Sequence, residues 1–328
     1  MIVDSYGRPI TYLRLAVTDR CNLRCMYCMP EKGLDWIPRR ELMSFDEMFR
    51  LCSIFTEMGV NKIRITGGEP FLRNNLMEFL TRIASIDGFG KLSITTNGFR
   101  TADSVPDLKK IGVKCVNLSL DTLDKDRFIQ ITRRDGLAQV LKTFDALLTH
   151  GIQVKINVVV MGNMNTQDII PMVKLADDLP VSVRFIEEMP FNGDVHRGMP
   201  TWDHLRIYKH IEQHYPMISK METPRHATAY AYKIPGQIGD IGIIAAYTRL
   251  FCGSCNRIRI TPTGVLRTCL YDGGSLNLKE AMQEGLTDEE LKHKITNAIL
   301  KKPSDGWEAE KKMLEANHKH ASMATIGG

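Results

Sequence analysis

One segment near the N-terminus reads Leu13-Arg-Leu-Ala-Val-Thr-Asp-Arg-Cys21-Asn-Leu-Arg-Cys25-Met-Tyr-Cys28. An apolar run typical of a buried strand passes directly into three cysteines with the spacing C-x3-C-x2-C. Soft thiolates select iron–sulfur clusters, zinc or copper, and three of them can hold one face of an iron–sulfur cube. The fourth iron would then stay open to bind a small molecule and pass it an electron. A structural zinc loop is the alternative, although zinc usually takes four ligands in two separated pairs.

A second segment, Gly67-Gly68-Glu69-Pro70, follows about one strand–helix unit later. Two glycines let the backbone approach a ligand closely, and Pro70 stiffens the turn. Glu69 can accept a hydrogen bond from an ammonium group. By itself this segment is also typical of an ordinary strand-to-helix turn.

Together the two segments resemble the radical S-adenosylmethionine (SAM) enzymes. The resemblance implies that the open iron binds the amino and carboxylate groups of SAM. It implies that the reduced cluster cleaves SAM to methionine and a 5′-deoxyadenosyl radical. It also places the Gly-Gly-Glu-Pro segment against the methionine amino group, and it implies a partial barrel.

The composition is that of a globular protein, because 328 residues can bury one large core or two modest ones. No apolar run approaches the roughly 20 residues that span a bilayer, and the first residues do not form a secretory signal. We therefore expect a cytoplasmic protein that does not associate with a membrane. In that compartment thiols stay reduced, which favours cluster ligation over disulfides. The net charge of +5 is mild and does not require nucleic acid as a partner.

Strand patterns alternate with amphipathic helix patterns over the first 190 residues. Strands are predicted over residues 12–17, 62–66, 92–96, 115–120, 153–160 and 181–186. Helices are predicted over residues 44–58, 76–86, 104–111, 137–150 and 166–178. Such alternation indicates a parallel sheet, and six units are too few for a closed eight-stranded barrel. We predict an α/β fold, an open and incomplete (βα)6 TIM-like barrel, with the site where the strands end.

After residue 190 the pattern changes. Helices are predicted over residues 202–215, 288–302 and 307–319, the last two surface-exposed, and antiparallel strands over residues 229–234 and 238–246. We therefore predict two domains: residues 1–190 form the partial barrel, and residues 191–328 form a smaller α+β extension.

The extension carries a second cysteine triplet, Cys252, Cys255 and Cys269, with the spacing C-x2-C-x13-C. A zinc site is a stronger alternative here, because a histidine from elsewhere could complete a tetrahedral set. The remaining cysteines, Cys52 and Cys115, lie in apolar patterns and are predicted to pack in the core.

This second triplet narrows the resemblance to the GTP 3′,8-cyclase family of molybdenum cofactor biosynthesis. The similar segments, which run from about residue 12 to the C-terminal residue, are Leu13-Arg14-Leu15, Lys62-Ile-Arg64-Ile-Thr-Gly67-Gly68-Glu69-Pro70, Val116-Asn-Leu-Ser119-Leu-Asp121, Arg184-Phe-Ile-Glu187, Cys252-Gly-Ser-Cys255-Asn-Arg257-Ile-Arg259 and Ile326-Gly327-Gly328.

The family resemblance implies two 4Fe–4S clusters. One, on Cys21, Cys25 and Cys28, would cleave SAM. The other, on Cys252, Cys255 and Cys269, would bind the guanine of GTP. The adenosyl radical would remove the 3′ hydrogen, and C3′ would attack C8 to give (8S)-3′,8-cyclo-7,8-dihydroguanosine 5′-triphosphate.

The resemblance also assigns individual residues. The implied SAM contacts are Tyr27, Gly68, Glu69, Ser119 and Met189. The implied GTP contacts are Arg14, Arg64, Thr95, Lys155, Arg257, Ile258, Arg259, Gly327 and Gly328, with Arg257 and Arg259 also implied in catalysis. A triphosphate needs several cationic partners, and an inward charge on a strand is costly unless paired, so an anionic ligand fits these basic residues. Solvated or ion-paired surface arginines are the alternative.

The implied partners are cyclic pyranopterin monophosphate synthase downstream and an electron donor such as flavodoxin or ferredoxin, and a homodimer is compatible with the family. Two other interpretations stay open. A radical SAM maturase would need a peptide groove and no basic set, and a zinc-stabilised scaffold would be colourless.

Overall fold

One mixed sheet organises the chain in this computed structural model, which describes residues 1–191, 200–316 and 321–327. Within that part, twelve strands follow the order β12-β11-β10-β1-β2-β3-β4-β5-β6-β9-β8-β7. Their bounds are β1 Tyr12–Ala16, β2 Lys62–Thr66, β3 Lys91–Thr96, β4 Cys115–Ser119, β5 Gln153–Val160, β6 Val181–Glu187, β7 Ser219–Lys220, β8 Tyr230–Lys233, β9 Asp240–Ile244, β10 Arg257–Ile260, β11 Val265–Arg267 and β12 Leu276–Asn277.

Helices connect the strands and cover the outer face of the sheet. Their bounds are α1 Phe45–Glu57, α2 Leu76–Ala84, α3 Val105–Lys110, α4 Lys125–Thr132, α5 Leu137–Thr149, α6 Ile169–Val173, α7 Leu175–Asp178, α8 His204–His214, α9 Leu278–Gln283, α10 Asp288–Leu300, α11 Gly306–Glu315 and α12 Met323–Ile326. Short 3-10 helices lie at Arg39–Glu41, Pro70–Leu72, Ala102–Ser104, Thr166–Asp168 and Cys252–Ser254.

The predicted open barrel is confirmed, and the sheet extends further than the six units read from the sequence. Strands β1 to β6 pair in parallel and in chain order. Strand β10 adds in parallel beside β1, and β9 adds in parallel beside β6. The C-terminal segment therefore widens the barrel at both edges. Strands β8 and β9 are antiparallel, as predicted, but β9 also continues the main sheet.

Several helix predictions need correction. The helix expected over residues 166–178 is divided into a 3-10 turn, α6 and α7, because consecutive turns shift their hydrogen bonding around Lys174. Helix α4 was not predicted from the sequence. Helix α10 is not simply a solvated face, since Leu291, Ile295 and Ile299 are fully buried. Helix α11 ends at Glu315, and residues 317–320 of the predicted helix lie outside the described residues.

Helix α1 shows how local sequence fixes the connections. Ser44 Oγ accepts a hydrogen bond from Glu47 N, and the Glu47 carboxylate accepts one from Ser44 N, which completes the predicted capping box. The cap begins helix α1, and the apolar face of this helix, which includes Leu51 and Phe55, packs into the main core.

Side chains alternate along the parallel strands between an apolar outer face and a polar lumen. Leu13, Ile63 and Ile258 belong to the core between sheet and helices. Their neighbours Arg14 and Arg64 face the lumen instead, because successive strand residues point to opposite faces. This alternation directs the polar residues toward one enclosed space. No helix among the described residues is long and apolar enough to cross a membrane.

Candidate active site at the carboxyl ends of the strands

Two adjoining cavities fill the lumen at the carboxyl ends of the strands. The first cavity is lined by the first triplet, Cys21, Cys25 and Cys28. The second cavity is lined by the second triplet, Cys252, Cys255 and Cys269. The residues lining both cavities are Thr95, Asn157, Ile186, Met189 and Met323. The two triplets are far apart in sequence, but the structure brings them to adjoining cavities. These five residues form the shared wall of the two cavities.

The first triplet lies on a tight turn after β1. Cys25 O accepts hydrogen bonds from Cys28 N at 2.9 Å and Met29 N at 3.1 Å. Met26 N donates to Ile131 O, and Arg133 Nη1 donates to Met29 O. The end of α4, the helix that the sequence analysis missed, thus holds the loop that carries the cysteines.

The two glycines of the second segment allow the backbone to pack beneath the first triplet. A Cβ on Gly67 would lie 2.5 Å from Thr18 O, and one on Gly68 would lie 2.3 Å from Arg20 O. Gly68 N also donates to Thr18 O at 2.7 Å. Both glycines line the first cavity. Their small size is therefore required by the residues that lead into Cys21, in addition to any ligand.

Glu69 occupies a different place from the one expected from the sequence. Its carboxylate is fully buried and accepts hydrogen bonds from Phe71 N at 3.2 Å, Thr96 Oγ1 at 2.8 Å and Asn97 N at 2.7 Å. Burial raises the pKa of Glu69 to about 7, against the opposing effect of these hydrogen bonds. The side chain ties the loops after β2 and β3 together and does not line either cavity.

Asn97 connects this carboxylate to the first triplet. Its side-chain amide lies 3.6 Å from Cys21 Sγ and donates to Asn22 Oδ1 at 2.9 Å. Burial raises the pKa of Cys21 to about 11, and the nearby Glu69 carboxylate adds to that rise. The sequence analysis gave Asn97 no role in the site, because its partners come from two other loops.

Tyr27 is oriented by a buried aspartate at the end of β4. Tyr27 Oη donates to Asp121 Oδ2 at 3.0 Å, and Val159 N donates to Asp121 Oδ1 at 2.8 Å. Burial raises the pKa of Asp121 to about 7. Ser119 and Met189 also line the first cavity. The predicted SAM contacts other than Glu69 therefore surround one space.

The second triplet is assembled from two separate segments. Cys255 N donates to Cys252 O across a 3-10 turn, and the Asp272 carboxylate accepts from Thr268 N and Cys269 N, each at 2.8 Å. These turns set Cys252 and Cys255 opposite Cys269 at the same cavity.

Basic side chains change the thiol chemistry of the second triplet. Burial alone would raise the pKa of Cys255, but Arg257 and Lys302 outweigh burial, and the pKa falls to about 6. In contrast, burial raises the pKa of Cys269 to about 11 despite Lys302. The basic neighbours therefore favour the thiolate form of Cys255.

The second cavity is strongly basic. Arginines from five different strand positions line it: Arg14, Arg64, Arg184, Arg257 and Arg259. Strand pairing sets Arg14 level with both Arg64 and Arg259. Burial lowers the pKa of Arg14 to about 10, and neighbouring arginines add to the effect. Arg14 Nε is buried without a hydrogen-bond partner. An anionic ligand would satisfy this donor and offset the mutual repulsion.

Of the predicted GTP residues that the structure describes, Lys155, Ile258 and Gly327 do not line the second cavity. Lys155 lies in the lumen, where burial and then Arg184 lower its pKa, but away from the cavity lining. The side chain of Ile258 is fully buried in the core on the opposite face, which leaves only its main chain for a ligand. Gly327 O accepts a hydrogen bond from Arg259 Nη1, and Gly328 lies outside the described residues.

Gly327 lies over the ends of β1 and β2, with a φ of 76°. A Cβ there would meet Thr66 Oγ1 at 2.6 Å and Ala16 Cβ at 2.8 Å. Ser322 Oγ donates to Cys28 O at 2.6 Å, so the same C-terminal segment also contacts the first triplet. The tail is therefore packed into the mouth of the barrel.

Of the two remaining cysteines, only Cys52 is in the predicted place. Cys52 is fully buried in α1. Cys115 is only half-buried and lies level with Ser93 on the lumen side of the sheet, because its strand position faces inward.

The residues at each triplet fit an iron–sulfur cluster. All six cysteines are free and half-buried, and each set of three borders an open cavity. Among residues 1–191, 200–316 and 321–327, no group of three or more His, Cys, Asp or Glu side chains is arranged to hold a single metal ion.

Comparison with protein families assigns both halves of the chain. Residues 15–176 match the radical SAM superfamily, and residues 181–307 match the family described as Molybdenum Cofactor Synthesis C. A GTP 3′,8-cyclase of Syntrophomonas wolfei is 41% identical over 322 residues, which cover 95% of this chain and 98% of the relative. The chain belongs to the GTP 3′,8-cyclase family of radical SAM enzymes.

Eukaryotic members of the family are similar over the same region. The mitochondrial GTP 3′,8-cyclase of Arabidopsis thaliana is 38% identical over 330 residues, covering 100% of this chain and 84% of the relative. Human molybdenum cofactor biosynthesis protein 1 is 36% identical over 302 residues. The aligned region includes 92% of this chain but only 48% of the human protein. The chain thus spans about half of the human relative.

The fold has structural relatives at much lower sequence identity. The structure of Streptococcus suis SuiB bound to S-adenosylmethionine superposes with a TM-score of 0.61 at 16% identity, covering 83% of this chain and 64% of SuiB. This likeness supports the partial barrel of the radical SAM fold and nothing more specific.

Proposed function

We propose that this chain is a GTP 3′,8-cyclase that uses SAM. The observation that supports this proposal is that the cavity of the first triplet and the basic cavity of the second triplet share five lining residues. Cys21, Cys25 and Cys28 would hold a 4Fe–4S cluster, which when reduced would supply the electron that cleaves SAM to methionine and a 5′-deoxyadenosyl radical. The chain's own residues then bind, orient and enclose the reactants.

Residues around the first cavity would hold SAM. Tyr27, fixed by Asp121, and Met189 line the cavity with Gly68 and Ser119, where a slender backbone and a hydroxyl leave room for the cofactor. Glu69 would act through Asn97 and the loop backbone, since its carboxylate oxygens already accept three hydrogen bonds. Its direct contact with the methionine amino group stays a prediction that this geometry does not favour.

Residues around the second cavity would hold GTP. The five strand arginines among its lining residues suit the charge of a triphosphate, and guanidinium groups bind phosphate oxygens in a bidentate manner. A second 4Fe–4S cluster on Cys252, Cys255 and Cys269 would hold the guanine. Thr95 lies in the shared wall, which suits a contact near the ribose. Lys155, Ile258, Gly327 and Gly328 remain proposed contacts on family resemblance.

The proposed reaction follows from this arrangement. The 5′-deoxyadenosyl radical takes the hydrogen from C3′, and the C3′ radical adds to C8 of the same guanine. The purine radical formed by this addition then takes one electron, from the flavodoxin or ferredoxin donor proposed below, and one proton at N7. The product is (8S)-3′,8-cyclo-7,8-dihydroguanosine 5′-triphosphate. Binding SAM and GTP in adjoining cavities would favour this hydrogen transfer, because proximity replaces a bimolecular encounter.

We also propose the wider setting that the sequence analysis predicted. A flavodoxin or ferredoxin would reduce the first cluster, and a cyclic pyranopterin monophosphate synthase would consume the product. A cytoplasmic location, a homodimer and a division into residues 1–190 and 191–328 stay predictions. The family matches, which end and begin at residues 176 and 181, support a division in this region.

The test is an anaerobic reaction of reconstituted protein with SAM, dithionite and GTP deuterated at C3′, followed by mass analysis of the 5′-deoxyadenosine. Deuterium in that product is the expected result. Unlabelled 5′-deoxyadenosine would remove GTP as substrate and favour a maturase. No 5′-deoxyadenosine from protein with intact clusters would exclude radical SAM chemistry altogether.

A variant pair links this result to the second cavity. Arg259→Met should cut deuterium transfer by about tenfold or more, the effect of losing roughly 1.4 kcal/mol of binding. Arg267→Met is the matched control, because Arg267 pairs level with Arg259 on the next strand but does not line the cavity. Equal losses in both variants would contradict a specific role for Arg259.

A further inference from the structure

Lys302 is a buried lysine immediately behind the second triplet. It follows the end of α10 and is only 3% exposed. Its backbone N donates to Ile299 O at 3.0 Å, which ties this residue to the last turn of α10. Burying an ammonium group is costly unless nearby groups compensate its charge. The groups around Nζ therefore indicate what role the lysine has.

The contacts of Nζ join the two segments that form the second triplet. Nζ donates to Arg257 O at 3.0 Å and to Thr268 O, and it lies 3.9 Å from Cys255 Sγ. Thr268 directly precedes Cys269, and Arg257 begins the strand two residues after Cys255. One ammonium group therefore bridges the start of β10, two residues after Cys255, to the segment that carries Cys269.

The Cys255 sulfur is the group near Lys302 Nζ that can carry a negative charge. Among the residues that the structure describes, no carboxylate forms an ion pair with Lys302, and its other two acceptors are uncharged carbonyl oxygens. Cysteine sulfurs that hold iron are thiolates. A thiolate at Cys255 would be the anionic partner that this buried ammonium otherwise lacks.

At the first triplet, no described lysine or arginine side chain donates to Cys21 Sγ, although the charge of Arg24 also acts on Cys21. There the side-chain donor to Cys21 Sγ is the uncharged amide of Asn97, at 3.6 Å. Hydrogen bonds and charge near the sulfurs set the reduction potential of an iron–sulfur cluster, because reduction adds negative charge to the cluster. A fixed positive charge stabilises the reduced form.

We propose that Lys302 is a positioning residue of the second triplet and that its charge raises the reduction potential of a cluster bound there. The inference rests on the second cluster of the proposed function. It concerns the one-electron couple in which the oxidised cluster, [4Fe–4S]²⁺, accepts one electron to become [4Fe–4S]⁺. Lys302 does not touch substrate, and it acts through Cys255 and the backbone of its two neighbours.

The test uses full-length protein in which Cys21, Cys25 and Cys28 are changed to serine, so that only the second triplet can hold a cluster. Lys302→Gln keeps a hydrogen-bond donor without the charge, whereas Lys302→Met removes both. Lys279→Met is the matched control, because Lys279 is also buried, at 8% exposure, and Nζ donates to Arg40 O at 2.7 Å and Leu42 O at 3.0 Å.

Each protein is reconstituted anaerobically, assayed for iron and sulfide, and titrated with dithionite while the reduced cluster is followed by electron paramagnetic resonance. Both Lys302 variants should lower the equilibrium constant for reduction by about tenfold, a shift of about 59 mV to lower potential. Lys279→Met should leave the potential unchanged.

Unchanged potentials in both Lys302 variants, with iron retained, would overturn the proposal. A shift in Lys302→Met alone would overturn the role of charge and leave only the bridging hydrogen bonds. Loss of iron from both Lys302 variants, but not from Lys279→Met, would also overturn it in favour of a purely structural role. No iron in the parent protein, with Lys302 intact, would instead refute the second cluster itself.

Discussion

In the first triplet the uncharged side-chain amide of Asn97 lies next to the sulfur of Cys21. In the second triplet the positively charged Arg257 and Lys302 lie next to the sulfur of Cys255. Burial raises the pKa of Cys28 to about 12, while the basic neighbours hold that of Cys255 at about 6. Both sites are half-buried, so charge rather than exposure makes the difference. The first site must release protons to bind iron, and the second is partly prepared for it.

The two sites also differ in how tightly their backbone is packed. The first triplet rests on Gly67 and Gly68, whose missing side chains admit the backbone of residues 18–20. In the second triplet Gly253 has nothing within 4 Å of its Cβ position. The first site is therefore held by its packing, and the second by charges and side-chain hydrogen bonds.

The largest expected effect is loss of one cluster at a time. Cys25→Ser should abolish 5′-deoxyadenosine formation, and Cys255→Ser should retain it but abolish the cyclic product, because only the first site cleaves SAM. Each variant should lose about half of its iron. Iron analysis and product chromatography measure both effects. Cyclic product from Cys255→Ser would show that the second triplet is dispensable.

A pair of glycine variants tests the packing difference. Gly68→Ala should prevent assembly of the first cluster, since the new Cβ would lie 2.3 Å from Arg20 O. Gly253→Ala is the control and should keep both clusters. Iron content and the yield of 5′-deoxyadenosine distinguish the two variants. Normal iron in Gly68→Ala would mean that the loop adjusts at little cost.

A smaller effect tests the charge difference in cluster-free protein. Thiolates react with iodoacetamide, so alkylation of Cys255 should rise as the pH passes upward through about 6, where the thiol loses its proton. Cys21 and Cys28, whose pKa values lie near 11 and 12, should stay unmodified until strongly alkaline pH. Mass analysis of the cysteine peptides across this range gives the profiles. Equal profiles at the two triplets would contradict the electrostatic distinction.

The smallest expected effect concerns Asn97. Asn97→Ala removes the amide near Cys21 Sγ and should lower the reduction potential of the first cluster by less than about 59 mV. Asn22→Ala is the control, because it removes the other partner of the same amide and leaves the contact with sulfur. The potential is measured in protein whose second triplet is changed to serine. An equal shift in both variants would indicate that loop position, and not the hydrogen bond, is responsible.

The sequence by itself determined the strand order up to β6, both triplets and the family. These features are local: alternating apolar residues specify a strand, and closely spaced cysteines specify a cluster ligand set. It also assigned Arg14 and Arg64 to one anionic ligand, and the structure shows both side chains lining the second cavity.

Only the tertiary structure decided which residues support the site. Asn97, Asp121 and Lys302 act through partners on distant segments, and no spacing along the chain records those contacts. The placement of β9 and β10 beside β6 and β1 likewise depends on pairing between residues far apart in sequence. Burial also gives Glu69 partners that the sequence does not show: its carboxylate accepts hydrogen bonds from Phe71 N, Thr96 Oγ1 and Asn97 N, and its contact with SAM stays a prediction.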